Sequence, residues 1–351
     1  MTDDSDVELL EQRRDRLVKW ISRVLPDARS VALSPFVPAS SGFSNVTAFT
    51  DLTWEGPGGT RRIELVLRAQ TAEGGLFPDY DLRLQYDVMA ALNGTAVPVP
   101  EVIWYIDDPE VLGVPGYLMR RVDGKVASGF RPGFHGHGLF FEATLDRRRA
   151  MWFAAVDVMA DLHLLRPDEL ALPAQLDHHL TGEASVRRIL DVIESQLNRV
   201  GVQVPILDEA LRLLRSRIPS GLRVSLCWGD ARPGNIIYRN GRVAAVLDWE
   251  LAHIGPPEGD LAYFLLVDEV VAELNGVQRL TGLPDPGETI AHYARRTDAP
   301  ITDLQFHRAV QGLRMAAMLA LTVQLSPPQL QFPPNYLCDN VATRRLAELL
   351  R

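Results

Sequence analysis

Apolar positions in the first part of the chain follow a helical spacing, at Leu9, Leu10, Leu17, Trp20, Ile21 and Val24, and predict a helix over Asp6 to Leu25. The pattern then changes. Val31 to Phe36, Asn45 to Trp54 and Arg62 to Arg68 are short runs rich in β-branched and aromatic residues, with Gly56-Pro57-Gly58-Gly59 between the last two, an antiparallel meander in outline. A helix from Asp81 to Leu92 carries Leu82, Leu84, Val88, Met89 and Leu92 at its apolar positions, and strands are expected at Val102 to Ile106 and Tyr117 to Arg121. Beyond that point helical periods dominate. Asp146 stands at the N-cap position of a helix to Leu165, Ser185 to Val200 and Ile206 to Ile218 follow, and Leu261 to Leu350 is helical apart from its proline breaks. Gly124 to Leu145 has no period, but its aromatics predict an ordered flap. Its His135 and His137 alone leave a zinc site short of ligands.

One stretch, Leu222 to Asp248, combines this patterning with chemistry. An apolar strand to Trp228 is broken by Gly229-Asp230-Ala231-Arg232-Pro233-Gly234, and two further strands, Ile236 to Tyr238 and Val243 to Leu247, are joined across Asn240-Gly241, a strong signal for a two-residue hairpin turn. If Arg239 faces Arg242, Asn235 lies opposite Val246 and Asp248 stands two residues further on the same face, roughly 6.6 Å along the strand. An amide and a carboxylate so placed can share one Mg²⁺, and Asp230 arrives at the same end. A carboxylate beside a metal pair suits phosphoryl transfer to a hydroxyl. The alternative is a capped turn whose Asp and Asn bond the local backbone.

GDARPGN followed by VLDWE resembles the catalytic loop and metal-binding Asp of the aminoglycoside phosphotransferase and choline kinase-like superfamily, in particular the kinase-like domain that occurs fused to acyl-CoA dehydrogenases. The resemblance implies an α+β, two-lobed protein-kinase-like fold: a small antiparallel sheet in a nucleotide-binding N-lobe over residues 1–121 and a mainly helical C-lobe over 122–351. It implies Asp230 as catalytic base, Asn235 and Asp248 as Mg²⁺ ligands, and ATP as phosphoryl donor.

It also gives roles to residues that are ambiguous alone. The loop containing Ser41, Gly42, Ser44 and Asn45 reads by itself as a hairpin connection or an anion-binding nest, and it resembles the family's nucleotide-positioning loop. Arg68 ends a strand where kinase-like folds carry a phosphate-binding cation; otherwise it is a surface cation at a sheet end. Gln85 aligns with the acidic partner of that cation, a departure that leaves Asp81 or Asp87 to substitute. Met119, Arg120 and Val122 fall in a segment that resembles the family's hinge, which implies that the backbone of Arg120 to Val122 meets the adenine edge and Met119 lines its pocket; otherwise it is a plain strand exit. Trp228 replaces the usual His before Gly-Asp; an indole can fill that space and donate one hydrogen bond. His163 is expected to pack rather than act as a base, and Asp260, at the start of a helix, to brace the catalytic loop.

Composition narrows the class. A net charge of -9 argues against a nucleic-acid binder, whose phosphate contacts need a basic footprint. Two cysteines make no disulfide framework, and no apolar run reaches membrane-spanning length, so a cytoplasmic protein is expected. The expectation is an ATP–Mg²⁺-dependent phosphotransferase with a small-molecule alcohol as acceptor. The alternatives are a nucleotide-binding pseudokinase without turnover, and a kinase of hydroxyacyl compounds. Acceptor identity and oligomeric state have no sequence signal.

Overall fold

The computed structural model describes residues 4–39, 45–71, 81–129, 131–326 and 332–351. Two compact units divide the chain: residues 1–93 with 99–123, and residues 94–98 with 124–351.

The first unit is built on two long strands. β3 (Val46–Gly56) and β4 (Gly59–Ala69) pair antiparallel across a tight turn at Pro57-Gly58, with Arg68 opposite Thr47. The sequence reading began β3 within one residue of its start but began β4 at Arg62, too late, since Gly59 already pairs with Gly56. β1 (Val31–Leu33) and β2 (Val37–Pro38) flank β3, while β5 (Val102–Ile106) and β6 (Gly116–Arg120) extend the sheet in the order β1-β3-β4-β6-β5. One face is apolar: Ala48, Leu52, Leu65 and Leu67 are sealed against Leu17 and Ile21. Those last two belong to α2 (Arg14–Val24), which is preceded by a separate α1 (Asp4–Gln12) rather than continuing it, as a single helix from Asp6 would have required. α3 (Leu82–Leu92) begins at the Asp81 cap, whose side chain accepts from the Arg83 N–H.

Helices make up most of the second unit: α4 (Leu145–Leu164), α5 (Gly182–Val200), α6 (Pro205–Ser216), α7 (Glu258–Leu274), α8 (Pro286–Thr297), α9 (Leu304–Leu325) and α10 (Val341–Leu349). The N-cap of α4 is Thr144 and not Asp146, because the Thr144 hydroxyl accepts from the Arg147 N–H and so sets the first turn two residues earlier. Nearly every residue of α7 is buried, from Glu258 to Val267, so it is the central helix of this unit. Two short sheets complete it. β7 (Ser225–Cys227) pairs with β10 (His253–Gly255), and β8 (Ile236–Arg239) with β9 (Arg242–Val246), these last two around the Asn240-Gly241 turn. Both turn residues have positive φ, at 54° and 78°, the conformation an Asn-Gly hairpin turn requires.

Candidate active site

The catalytic-loop sequence is held by its backbone. Gly229 has φ of 84°, and a Cβ there would lie 2.0 Å from the Leu251 carbonyl oxygen, so both its dihedral and its surroundings exclude a side chain. The N–H of Gly229 donates to Asp260 Oδ1 at 2.8 Å and that of Trp228 to Asp260 Oδ2 at 2.6 Å. Asp260 lies in the first turn of α7 but bonds this loop, which is the bracing expected from the sequence. His163 Nε2 approaches Asp260 Oδ2 at 3.0 Å, and its Nδ1 lies 2.6 Å from the Tyr293 hydroxyl, all three residues being buried. Burial alone would raise the Asp260 pKa; the His163 bond and charge, His253 and the Gly229 N–H together hold it below the usual carboxylate range.

Beyond Gly229 the loop presents Asp230, buried, and then turns through a short 3₁₀ segment at Pro233–Asn235. Asn235 Nδ2 donates to Asp230 Oδ2 at 2.5 Å and to the Asp230 carbonyl at 3.1 Å, and Arg232 Nε donates to the same Oδ2 at 3.0 Å. Burial would raise the Asp230 pKa, but the Arg232 and Arg314 charges and these hydrogen bonds keep it below the usual range, so the carboxylate is ionised. The charge of Asp230 raises the Arg232 pKa, burial opposes it, and Asp248 adds to the rise. Arg232 therefore feels both carboxylates.

The hairpin that follows Asn235 and leads to Asp248 has a different register from the one expected. Arg239 does face Arg242, but Tyr238 pairs with Val243 and Ile237 with Ala245, leaving Ala244 as a bulge. The shift puts Ile236 opposite Val246, and the Leu247 N–H reaches the Asn235 carbonyl at 2.8 Å. Asn235 is thus opposite Leu247, and Asp248 follows at once, past the strand end with φ of 64°. Alternation along one strand face does not place it; the turn after β9 does. Trp228 secures that turn. Its indole Nε1 donates to the Leu247 carbonyl at 2.8 Å, the single hydrogen bond an indole can offer.

The donor set fits Mg²⁺. Both Asn235 amide hydrogen bonds run through Nδ2, which turns the amide oxygen away from Asp230, and Asp248 offers a carboxylate, so both candidate ligands would present hard oxygens. Among the described residues, the cluster of His163, Cys227 and Asp260 brings ligand atoms within 4.8 Å of one another. It does not suit a metal, because Asp260 and His163 are spent on the bracing network and burial pushes the Cys227 thiol well up. His135 is also committed: Nε2 lies 3.0 Å from the Asp268 carbonyl, and Nδ1 accepts from the Leu280 N–H at 3.3 Å.

The expected nucleotide residues of the first unit are placed as follows. Ser41, Gly42 and Ser44 lie outside the described residues. Asn45 is buried just before β3, and its Nδ2 meets no acceptor among the described residues. Arg68 is in β4 opposite Tyr117, whose hydroxyl donates to Gln85 Oε1 at 3.2 Å. Asp87 is engaged by Arg83 at 2.8 Å, and the Asp81 side chain caps α3 by accepting from the Arg83 N–H at 2.7 Å. Met119 is buried in β6. The Arg120 N–H is already taken by the Glu101 carbonyl at 2.8 Å and that of Arg121 by Glu64 at 2.9 Å, which leaves Val122 as the first residue past the sheet edge.

Sequence reasoning missed two groups at Asp230. Arg232 was visible inside the motif but had no role assigned. Arg314 had no local signal, as it reaches the loop from α9, 85 positions away.

The profile of the Phosphotransferase enzyme family matches residues 36–294. The chain belongs to that family. Acyl-CoA dehydrogenase family member 11 of Homo sapiens is 30% identical over 258 residues, covering 70% of this chain and 31% of the relative. Family member 10 of Mus musculus is 27% identical over 267 residues, 73% of this chain and 24% of the relative. The phosphotransferase chain thus spans less than a third of the length of these relatives. Among solved structures, one from Ralstonia eutropha assigned as an aminoglycoside phosphotransferase superposes with a TM-score of 0.69 at 25% identity, covering 96% of this chain and 95% of the other. Aminoglycoside phosphotransferase APH(4)-Ia, solved with ADP and hygromycin B, superposes at 0.55 with 16% identity, over 95% of this chain and 97% of its own. The fold is therefore the α+β kinase-like one. No helix among the described residues is long and apolar enough to cross a membrane.

Proposed function

We propose that this phosphotransferase moves the γ-phosphoryl group of ATP to a hydroxyl of a small molecule. The observation that carries the reading is Asp230: a buried carboxylate held in its ionised form, hydrogen-bonded by Asn235 and by Arg232, on whose charge Asp248 also acts. On this reading Asp230 accepts the hydroxyl proton as the acceptor oxygen bonds to phosphorus and the bond to the β,γ-bridging oxygen breaks, releasing ADP. Asn235 and Asp248 would hold Mg²⁺, which neutralises phosphate charge when bound. For the first unit the proposal assigns Asn45, Arg68, Gln85, Met119 and the Val122 backbone to the nucleotide, with Arg120 and the loop of Ser41, Gly42 and Ser44 as neighbours in sequence.

Structural relatives with bound ADP, ATP, streptomycin or hygromycin B support a nucleotide donor and a small acceptor. The test is calorimetric titration with ATP, with and without Mg²⁺, beside a phosphate-release assay on Asp230→Asn. ATP affinity should be retained and turnover should fall by about 10²–10⁴-fold, the usual contribution of a general base. Parental turnover in Asp230→Asn removes the proton-acceptor role; metal-dependent binding with no turnover in the parent makes the protein a nucleotide-binding module.

A further inference from the structure

Gly229 is gripped at both its N–H and its carbonyl. The N–H contact to Asp260 belongs to the bracing already described. The carbonyl, which belongs to the peptide leading into Asp230, accepts from Arg314 Nη1 at 2.6 Å. Nothing in the proposed reaction accounts for this second grip. The Arg314 guanidinium lies 4.9 Å from the centroid of the Tyr263 ring, and Nη1 also donates to Gln311 Oε1 at 3.2 Å. Its Nη2 is buried and has no hydrogen-bond acceptor among the described residues. The group is therefore centred on one carbonyl and one aromatic face, at the expense of an unmet N–H.

We propose that Arg314 is a positioning residue for phosphoryl transfer, fixing the Gly229–Asp230 peptide so that the Asp230 carboxylate meets the acceptor hydroxyl in one orientation. The proposal rests on the reading of Asp230 as proton acceptor. Glycine has the widest backbone freedom of any residue, so a carbonyl released at Gly229 loosens the residue that follows it. A misplacement of about 1 Å at a reacting group lowers rates by roughly 10²-fold. Lysine replaces the arginine poorly, because an ammonium has no planar face to lay over the Tyr263 ring.

The test compares the parent with Arg314→Ala, Arg314→Lys and Asp230→Asn, using Mg–ATP with water as acceptor, ATP calorimetry, and amide hydrogen exchange over the catalytic loop. Arg314→Ala should release phosphate roughly 10- to 100-fold more slowly while ATP Kd stays within about two-fold. Its exchange should quicken at Gly229 to Arg232 and remain parental in β3 and β4. Guanidinium chloride at a sub-denaturing concentration should restore part of the rate to Arg314→Ala and none to Asp230→Asn, and Arg314→Lys should stay impaired. Parental exchange and rate in Arg314→Ala would overturn the proposal, as would exchange raised throughout α7 and α9 with no guanidinium rescue. If Asp230→Asn is inactive while Arg314→Ala is parental, the inference alone fails; if Asp230→Asn is fully active, the functional reading fails first. Should the parent release no phosphate to water, the exchange comparison decides.

Discussion

At Gly229 a single methyl group decides between two backbones. Gly229→Ala meets the Leu251 carbonyl and a φ of 84° at once. Strain of about 1–3 kcal/mol is expected before any clash is relieved, read as a lower thermal midpoint together with loss of turnover. Trp228 is a subtler case. Trp228→Phe keeps the aromatic bulk but removes the donor to Leu247, and a lost hydrogen bond of about 1 kcal/mol predicts roughly five-fold weaker Mg²⁺-dependent ATP binding by calorimetry. Unchanged binding would mean that the turn holds Asp248 without it. These residues also mark what was legible. Asp230, Asn235 and Asp248 could be singled out because their spacing is local, whereas Arg314 and Tyr293 enter from helices far along the chain, and a helical residue shows its periodicity but not its target.

Elements were read well in kind and less well at their edges. The Asn240-Gly241 turn could be foreseen because only residues tolerant of positive φ fit it, but the Ala244 bulge could not, since nothing in Val243-Ala244-Ala245 distinguishes the unpaired residue. The N-cap of α4 was misplaced because Thr144 and Asp146 are both competent caps, and the backbone chose between them. The flap from Gly124 illustrates order without periodicity: Phe134, His135 and Phe140 are buried, and His135 ties it to α7 and to Leu280. Burial lowers the pKa of His135, His253 and His307. The unfolded chain then takes up protons first as pH falls through the ordinary histidine value of about 6.5, so stability is fully present above that value and declines below it. Urea midpoints should drop between pH 7.5 and 5.5, and His135→Gln should flatten that slope; a pH-independent midpoint would mean these rings are not held neutral.

For the molecule as a whole, net charge and local charge point in different directions. The chain carries -9, yet two guanidiniums, Arg232 and Arg314, act on the proposed base. A polycationic aminoglycoside approaching Asp230 meets like charge there, so neutral or anionic alcohols should be phosphorylated with higher kcat/KM than aminosugars in a competition assay. A preference for the aminosugar would show that acidic groups elsewhere outweigh this pair. What the sequence determined by itself was whatever short range encodes: the helical and strand periods, the turn at Asn240-Gly241, and an order of Asp, Asn and Asp that resembles a phosphotransferase catalytic loop. What only the tertiary structure decided was the rest of how the loop is held: His163 and Tyr293 behind the Asp260 brace, Arg314 at the carbonyl, and the bulge that moves Asp248 off the strand. Those contacts join residues tens of positions apart, and their partners are chosen by packing, which no local pattern records.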